Sequence, residues 1–214
     1  MKTKTFTVNP FQMNSYVYSC PDTREGVIID PGYYNESEQN ALLSYLEENK
    51  INIRAVLYTH GHVDHVLGSA FAAESFGNER FIHRDDLFLY NNACAHGEFY
   101  GLEVARMPLI NKFVDEKIPF RLGNTELNFI HTPGHSPGGV CITDHVNKNV
   151  FCGDSIFRLS IGRTDLPGGD YGTLIDSIKR KLFMVCSRDY ELYPGHMEKT
   201  TIGDEIKHNP FLRE

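Results

Sequence analysis

Tryptophan is absent from this 214-residue chain, and cysteine is sparse, with five residues and no CxxC pair. Cys20, Cys94, Cys141, Cys152 and Cys186 are scattered and odd in number. That pattern excludes a disulfide framework and fits buried free thiols in a reducing compartment. No segment approaches 18 uncharged apolar residues, so no membrane-spanning helix is expected. The stretch from Met1 to Tyr16 has no apolar core of a secretion signal; Phe6 and Val8 alternate with polar residues as in a strand. The cytoplasm is the expected location. Positive charge is also scarce, 21 Lys and Arg against 28 Asp and Glu, a net charge of −7. This argues against nucleic acid or an anionic membrane as partner. A hydrophobic fraction of 41% and a charged fraction of 23% exclude disorder, collagen and coiled coil. There is no short-period repeat and no low-complexity stretch. The length suits one domain, 1–214, with a core of its own. What the chain does have is histidine, ten of them, the side chain that most often binds metal or moves protons near neutral pH.

Local patterning divides the chain into two similar halves. Lys2 to Val8, Ser15 to Ser19 and Val27 to Asp30 read as strands, punctuated by Asn9-Pro10 and Pro31-Gly32. A helix is predicted over Glu36 to Asn49, where Ala41, Leu42, Tyr45 and Leu46 make an apolar stripe. A buried strand, Ile53 to Tyr58, is followed by a helix, Val63 to Phe76, ended by Gly77; Phe81 to His83 is a short strand. Residues 85–118 read as a connecting excursion with a helical turn or two at Asp85 to Asn91, and not as a second domain. Then come strands at Phe120 to Leu122, Glu126 to Ile130, Val140 to Thr143 and Asn149 to Cys152. A helix at Tyr171 to Phe183, a strand at Tyr190 to Tyr193 and a helix at Thr200 to His208 close the chain. Two halves, each a sheet with helices to cover it, predict a layered α/β sandwich.

The chemistry concentrates at strand ends. Thr59-His60-Gly61-His62-Val63-Asp64-His65 joins a buried strand to a helix. His60 and His62 are two apart and face the same way on an extended segment. Asp64 and His65 come at the turn into the helix and point to an adjacent position. One segment thus offers two ligands to each of two neighbouring metals, and imidazole with carboxylate suits Zn²⁺, Fe or Mn. In His131-Thr132-Pro133-Gly134-His135-Ser136-Pro137, Pro133-Gly134 and Pro137 forbid the helix that would put both imidazoles on one face. His135, in the tight loop, is the expected ligand, and His131 at the strand end is structural. Asp154 follows a strand through Gly153 and is placed to bridge two cations. His196 follows the last strand in Tyr193-Pro194-Gly195-His196. His83, His96, His131, His145 and His208 are taken as surface or structural residues. Cys152 is taken as a buried small residue. Tyr16, Tyr33, Tyr34 and Tyr171 are taken as packing.

HxHxDH, then GH, GD and PGH in this order resembles the metallo-β-lactamase superfamily over essentially the whole chain. Ser160 to Gly169 (SIGRTDLPGG) and the ending Asn209-Pro210-Phe211-Leu212-Arg213 are similar to short, single-domain glyoxalase II-like hydrolases. The resemblance implies a four-layer αββα sandwich with metals at one edge. It implies His60, His62 and His135 on a first metal, Asp64, His65 and His196 on a second, and Asp154 between them. The cofactors implied are two divalent ions, zinc foremost, with iron or manganese as alternatives. The implied reaction is hydrolysis of an acyl thioester such as S-D-lactoylglutathione by hydroxide formed between the metals, with Asp64 and Asp154 orienting it. The larger glyoxalase II enzymes add a helical C-terminal domain and carry a Lys and a Tyr after the bridging Asp. Here no such domain follows, and Arg163 and Asp165 stand at about those places; Arg163 could pair with a substrate carboxylate.

Other readings are a persulfide dioxygenase-like oxidoreductase with one iron on His60, His135 and Asp154, and another superfamily hydrolase such as a lactonase or esterase. A secreted β-lactamase, a nuclease and a dead metal-binding scaffold are less well supported. Asp64 and the Pro-Gly-His ending favour two metals, and acidic charge argues against the nuclease.

Overall fold

The computed structural model describes residues 1–213. Its first half builds a six-stranded sheet from β1 (Lys2–Val8), β2 (Met13–Ser19), β3 (Glu25–Ile29), β4 (Asn52–Leu57), β5 (Glu79–Ile82) and β6 (Lys112–Phe113), in that spatial order. The first three strands run antiparallel, and β3 through β6 run parallel. Parallel neighbours need crossovers. These are α1 (Glu36–Asn49), then α2 (Val63–Val66) with α3 (Ser69–Phe76), then α4 (Leu87–Asn91) with α5 (Ala93–Phe99). The second sheet has the order β14 (Thr200–Thr201), β13 (Glu191–Pro194), β10 (Asn149–Gly153), β9 (Val140–Asp144), β8 (Thr125–His131) and β7 (Phe120–Leu122). A two-stranded ribbon, β11 (Ile156–Phe157) and β12 (Ser160–Ile161), stands beside it. Covering this sheet are α6 (Tyr171–Ser177), continued through a π-helical stretch at Ile178–Leu182 into α7 (Phe183–Val185), and α8 (Ile202–His208).

Three buried apolar layers show why the architecture is αββα. Tyr16, Tyr18, Val27, Ile29, Ala55 and Leu57 of the first sheet meet Leu127, Phe129, Val140, Ile142, Phe151 and Tyr193 of the second. The residues between them in sequence, Val17, Ile28 and Val56, point the other way onto Leu42, Leu46, Val66 and Ala72. Cys141, Val150 and Cys152 likewise face Leu174, Ile178, Leu182 and Ile202. Alternation along a strand sends successive side chains to opposite faces. With both faces covered, central strands become continuous apolar runs, as in Val27-Ile28-Ile29.

The predicted α/β sandwich is therefore present, with local differences. The helix expected over Val63 to Phe76 is two helices. Gly68 breaks it: its N–H bonds the Pro31 carbonyl at 2.7 Å, and a Cβ there would stand 2.7–2.9 Å from backbone atoms of Pro31 and Tyr33. The excursion at 85–118 supplies α4, α5 and edge strand β6, so it completes the first half. The ribbon at 156–161 has no counterpart among the strands expected from patterning. It is tied down by buried Glu205, which accepts from Leu159 N at 2.9 Å, and by Asn209 Nδ2, which donates to Ser160 O at 2.9 Å. Asn209 thus gives the NPFLR ending a structural task. All five cysteines are free; Cys94 is only half-buried, unlike the other four.

Candidate metal centre

The C-terminal ends of β3, β4, β8, β10 and β13 lie at one edge of the two sheets. Asp30 follows β3, the 60–65 segment follows β4, His135 follows β8, Asp154 follows β10 and His196 follows β13. Ligand sites at the carboxyl ends of strands are the rule in open α/β sheets. All seven residues expected to bind metal come together there, in two clusters.

The first cluster is three imidazoles, His60, His62 and His135, with ligand nitrogens within 4.8 Å of one another. His62 Nδ1 lies 2.8 Å from His135 Nε2, which lies 3.3 Å from His60 Nε2. Nitrogens about 2.0–2.1 Å from one ion would be spaced in this way. The second cluster is Asp64, His65 and His196. His196 Nε2 is 3.1 Å and His65 Nε2 3.7 Å from Asp64 Oδ2. Asp154 faces both: its Oδ1 is 3.2 Å from His65 Nε2, and its Oδ2 is 3.5 Å from His135 Nε2 and 3.6 Å from His196 Nε2.

The opposite ring nitrogens fix the tautomers. Thr59 Oγ1 donates to Asp30 Oδ2 at 2.6 Å, so it is left to accept from His60 Nδ1 at 3.1 Å. His65 Nδ1 donates to Asp30 Oδ2 at 2.9 Å, and His135 Nδ1 to the Arg163 carbonyl at 2.7 Å. In the neutral ring, the form that binds a metal, each of these Nε2 atoms carries a lone pair toward the cluster. Such support orients metal ligands and raises their basicity. Asp30 lies near His60 and His65, but its bonds to His65 and Thr59 make it a supporting group. In the sequence it reads only as the end of a strand.

The two clusters differ electrically. Burial, then the surrounding histidines, pushes His60 well below the ordinary imidazole value, and His62 down to about 3. Burial opposes protonation of His65 too, but Asp154, Asp64 and Asp30 outweigh it and raise the group well above its usual value. Burial would raise the carboxyls of Asp154 and Asp64, but facing His65 holds both low. The second cluster is thus built for positive charge.

These donors fit a pair of cations. His65 Nε2 and Asp154 Oδ1 are buried 3.2 Å apart, and neither has a hydrogen-bond partner elsewhere, a rare state for polar atoms in a folded interior. Gly195 makes room beside them, because a Cβ there would run into Asp154 Oδ1 and His65 Nε2. Elsewhere, a hollow of about 350 Å³ between α1 and α3 sits at the opposite end of β4, away from both clusters.

The histidines assigned to structure stay outside both clusters. His131 Nε2 donates to Pro137 O at 2.8 Å, and its ring stacks on His83 at 4.2 Å. His145 bonds the Tyr190 hydroxyl at 3.0 Å. Arg163 reaches the site through its backbone; its guanidinium is held by Asp165 in two bonds of 2.7 and 2.8 Å. No helix among the described residues is long and apolar enough to cross a membrane.

A four-layer αββα sandwich with a paired histidine–aspartate centre at one sheet edge defines a metallo-hydrolase class. The metallo-β-lactamase superfamily model matches residues 8–196, and the chain belongs to that superfamily. It is 36% identical over 215 residues to the hydroxyacylglutathione hydrolase GloC of Haemophilus influenzae, covering 99% of this chain and 98% of that one. The crystal structure of BLEG-1 B3 metallo-β-lactamase superposes with a TM-score of 0.90 at 31% identity, covering all of both chains. That of TTHA1623 in a di-iron-bound form superposes with a TM-score of 0.85 at 36% identity, over 98% of this chain and 100% of that one.

Proposed function

We propose that this chain is a metal-dependent hydrolase of small acyl thioesters, with S-D-lactoylglutathione as the first substrate to test, and that residues 1–214 act as one hydrolase domain. The observation that carries the reading is Asp154, which faces three histidines drawn from both clusters at 3.2 to 3.6 Å. The name of the Haemophilus relative points to the same reaction.

In this reading His60, His62 and His135 would hold one divalent ion and Asp64, His65 and His196 a second, with Asp154 facing both. Zinc is the proposed metal; iron and manganese accept the same donors. Two such ions, when bound, would lower the pKa of a water toward neutrality and polarise a carbonyl. Asp64 and Asp154 would orient such a water, since their carboxylates lie among the histidines and can accept hydrogen bonds. No serine or cysteine nucleophile is needed, and Cys152 faces the helix layer. A thioester suits this site, because a thiolate departs with little protonation. Arg163 is assigned to a carboxylate of the substrate, exchanging its bond to Asp165 for one to the ligand.

The test is thiol release from S-D-lactoylglutathione by protein of known metal content. Turnover that rises with metal loading and is lost on chelation is expected. No turnover of any acyl thioester with two metals bound would sink the proposal, as would a single iron with sulfide-dependent oxygen uptake.

A further inference from the structure

Asp86 lies between β5 and α4, fully buried, in the stretch least legible from sequence. Its side chain touches no metal ligand, yet its carboxylate holds the two loops that carry the first cluster. Oδ2 accepts from Gly61 N at 2.8 Å and from Ser136 Oγ at 2.7 Å, and Oδ1 accepts from Gly138 N at 2.5 Å. Gly61 sits between His60 and His62. Ser136 follows His135, and Gly138 is three residues beyond it.

Both loops are shaped to admit this group. A Cβ on Gly61 would stand 2.7 Å from the Asp86 carbonyl, and one on Gly138 would stand 2.6 Å from Asp86 N. The segment is also anchored nearby, since His83 stacks on His131, whose Nε2 holds Pro137 O. A buried carboxylate needs strong donors to remain in place, and here every donor comes from one ligand loop or the other.

We infer that Asp86 is a positioning residue for the His60–His62–His135 pocket, setting the gap between a loop of the first sheet and a loop of the second. The second cluster has no bond to Asp86. It rests instead on Asp30, through His65. Loss of Asp86 should therefore loosen one metal pocket and spare the other. The inference rests on the metal-binding reading of the site and is independent of which thioester is cleaved.

Zinc affinity, measured on the full chain by competition with a chromophoric chelator, tests it without recourse to turnover. H196A weakens the second pocket and H62A the first, so D86N is placed in each background. An Asn keeps the shape of Asp86 but sets an NH₂ group against N–H or O–H donors. D86N should weaken zinc about 10–100-fold in the H196A background, the usual cost of a lost supporting contact, and less than about 3-fold in the H62A background. S136A, which removes one donor and leaves the carboxylate, should reproduce a smaller loss in the H196A background alone; it decides the matter if D86N does not fold. Equal loss in both backgrounds, or none in either, would overturn the inference while leaving the two-metal reading intact. A wild-type chain that binds no zinc would remove both.

Discussion

The His60–His62–His135 cluster is three imidazoles gathered from loops of two different sheets, and burial with the neighbouring histidines keeps His60 and His62 neutral. The Asp64–His65–His196 cluster mixes carboxylate and imidazole, and its histidines are drawn toward the charged form by the acids around them. Asp154 serves both. The difference lies in how each is held. Asp30 grips a ring nitrogen of His65 directly, whereas Asp86 grips backbone and hydroxyl donors of the loops around His60, His62 and His135. Rings are held in both pockets, in the first by Thr59 and the Arg163 carbonyl, but only the first also has its loop spacing set by Asp86.

The largest effect is expected where the clusters meet. D154N keeps the shape but replaces one oxygen that faces the histidines with an NH₂ group. Thioester turnover should fall about 10²–10³-fold or more, the several kcal/mol that metal assistance supplies, with weaker zinc in both pockets by chelator competition. A variant with wild-type kcat/KM and metal content would show that Asp154 bridges nothing.

D30N separates the pockets more finely. An amide nitrogen in place of Oδ2 cannot accept from His65 Nδ1–H. The proton then moves to Nε2, the nitrogen that faces the cluster. Zinc in the second pocket should weaken about 10–100-fold, with a smaller effect on the first through Thr59 and His60. Zinc titrations in the H62A and H196A backgrounds report each pocket in turn; a larger loss in the first pocket would reverse the assignment.

Four of the proposed ligands, His60, His62, Asp64 and His65, stand out in the sequence, because neither helix capping nor an ordinary polar loop requires four donor residues within six positions at a strand end. Asp30 and Asp86 do not. Each is a single acid in an ordinary context, and its partners lie 25 to 52 residues away, at distances that only the folded sheets close. The fold is legible in its strands and in α1, where apolar spacing is regular. The split at Gly68 is not, because the reason for it is contact with Pro31 and Tyr33, not helix propensity. The two-residue strands β6, β11, β12 and β14 escape a sequence reading because so short a strand carries too little pattern, and Thr200–Thr201 of β14 reads from sequence as the opening of the last helix.

The smallest effect is expected far from the metals. Asp144, the last residue of β9, accepts from Tyr18 Oη at 2.7 Å, Thr125 Oγ1 at 2.9 Å and Asn147 N at 2.9 Å. Burial would raise its carboxyl, but these donors hold it below the ordinary value. A carboxyl lowered by folding adds stability above its unfolded pKa of about 3.9, and that stability is lost as pH falls through the folded value. D144N should cost about 1–3 kcal/mol near neutral pH and flatten acid unfolding of the metal-free chain below about pH 4, without changing zinc affinity. An unchanged acid transition in denaturant melts would remove Asp144 from this role.

The most direct measurement is the metal content of the purified chain by mass spectrometry, beside H62A and H196A. Two divalent ions per wild-type chain, falling toward one in each variant with the other pocket still filled, is the expected result. A single ion in the wild type, or one lost in neither variant, would contradict a paired centre.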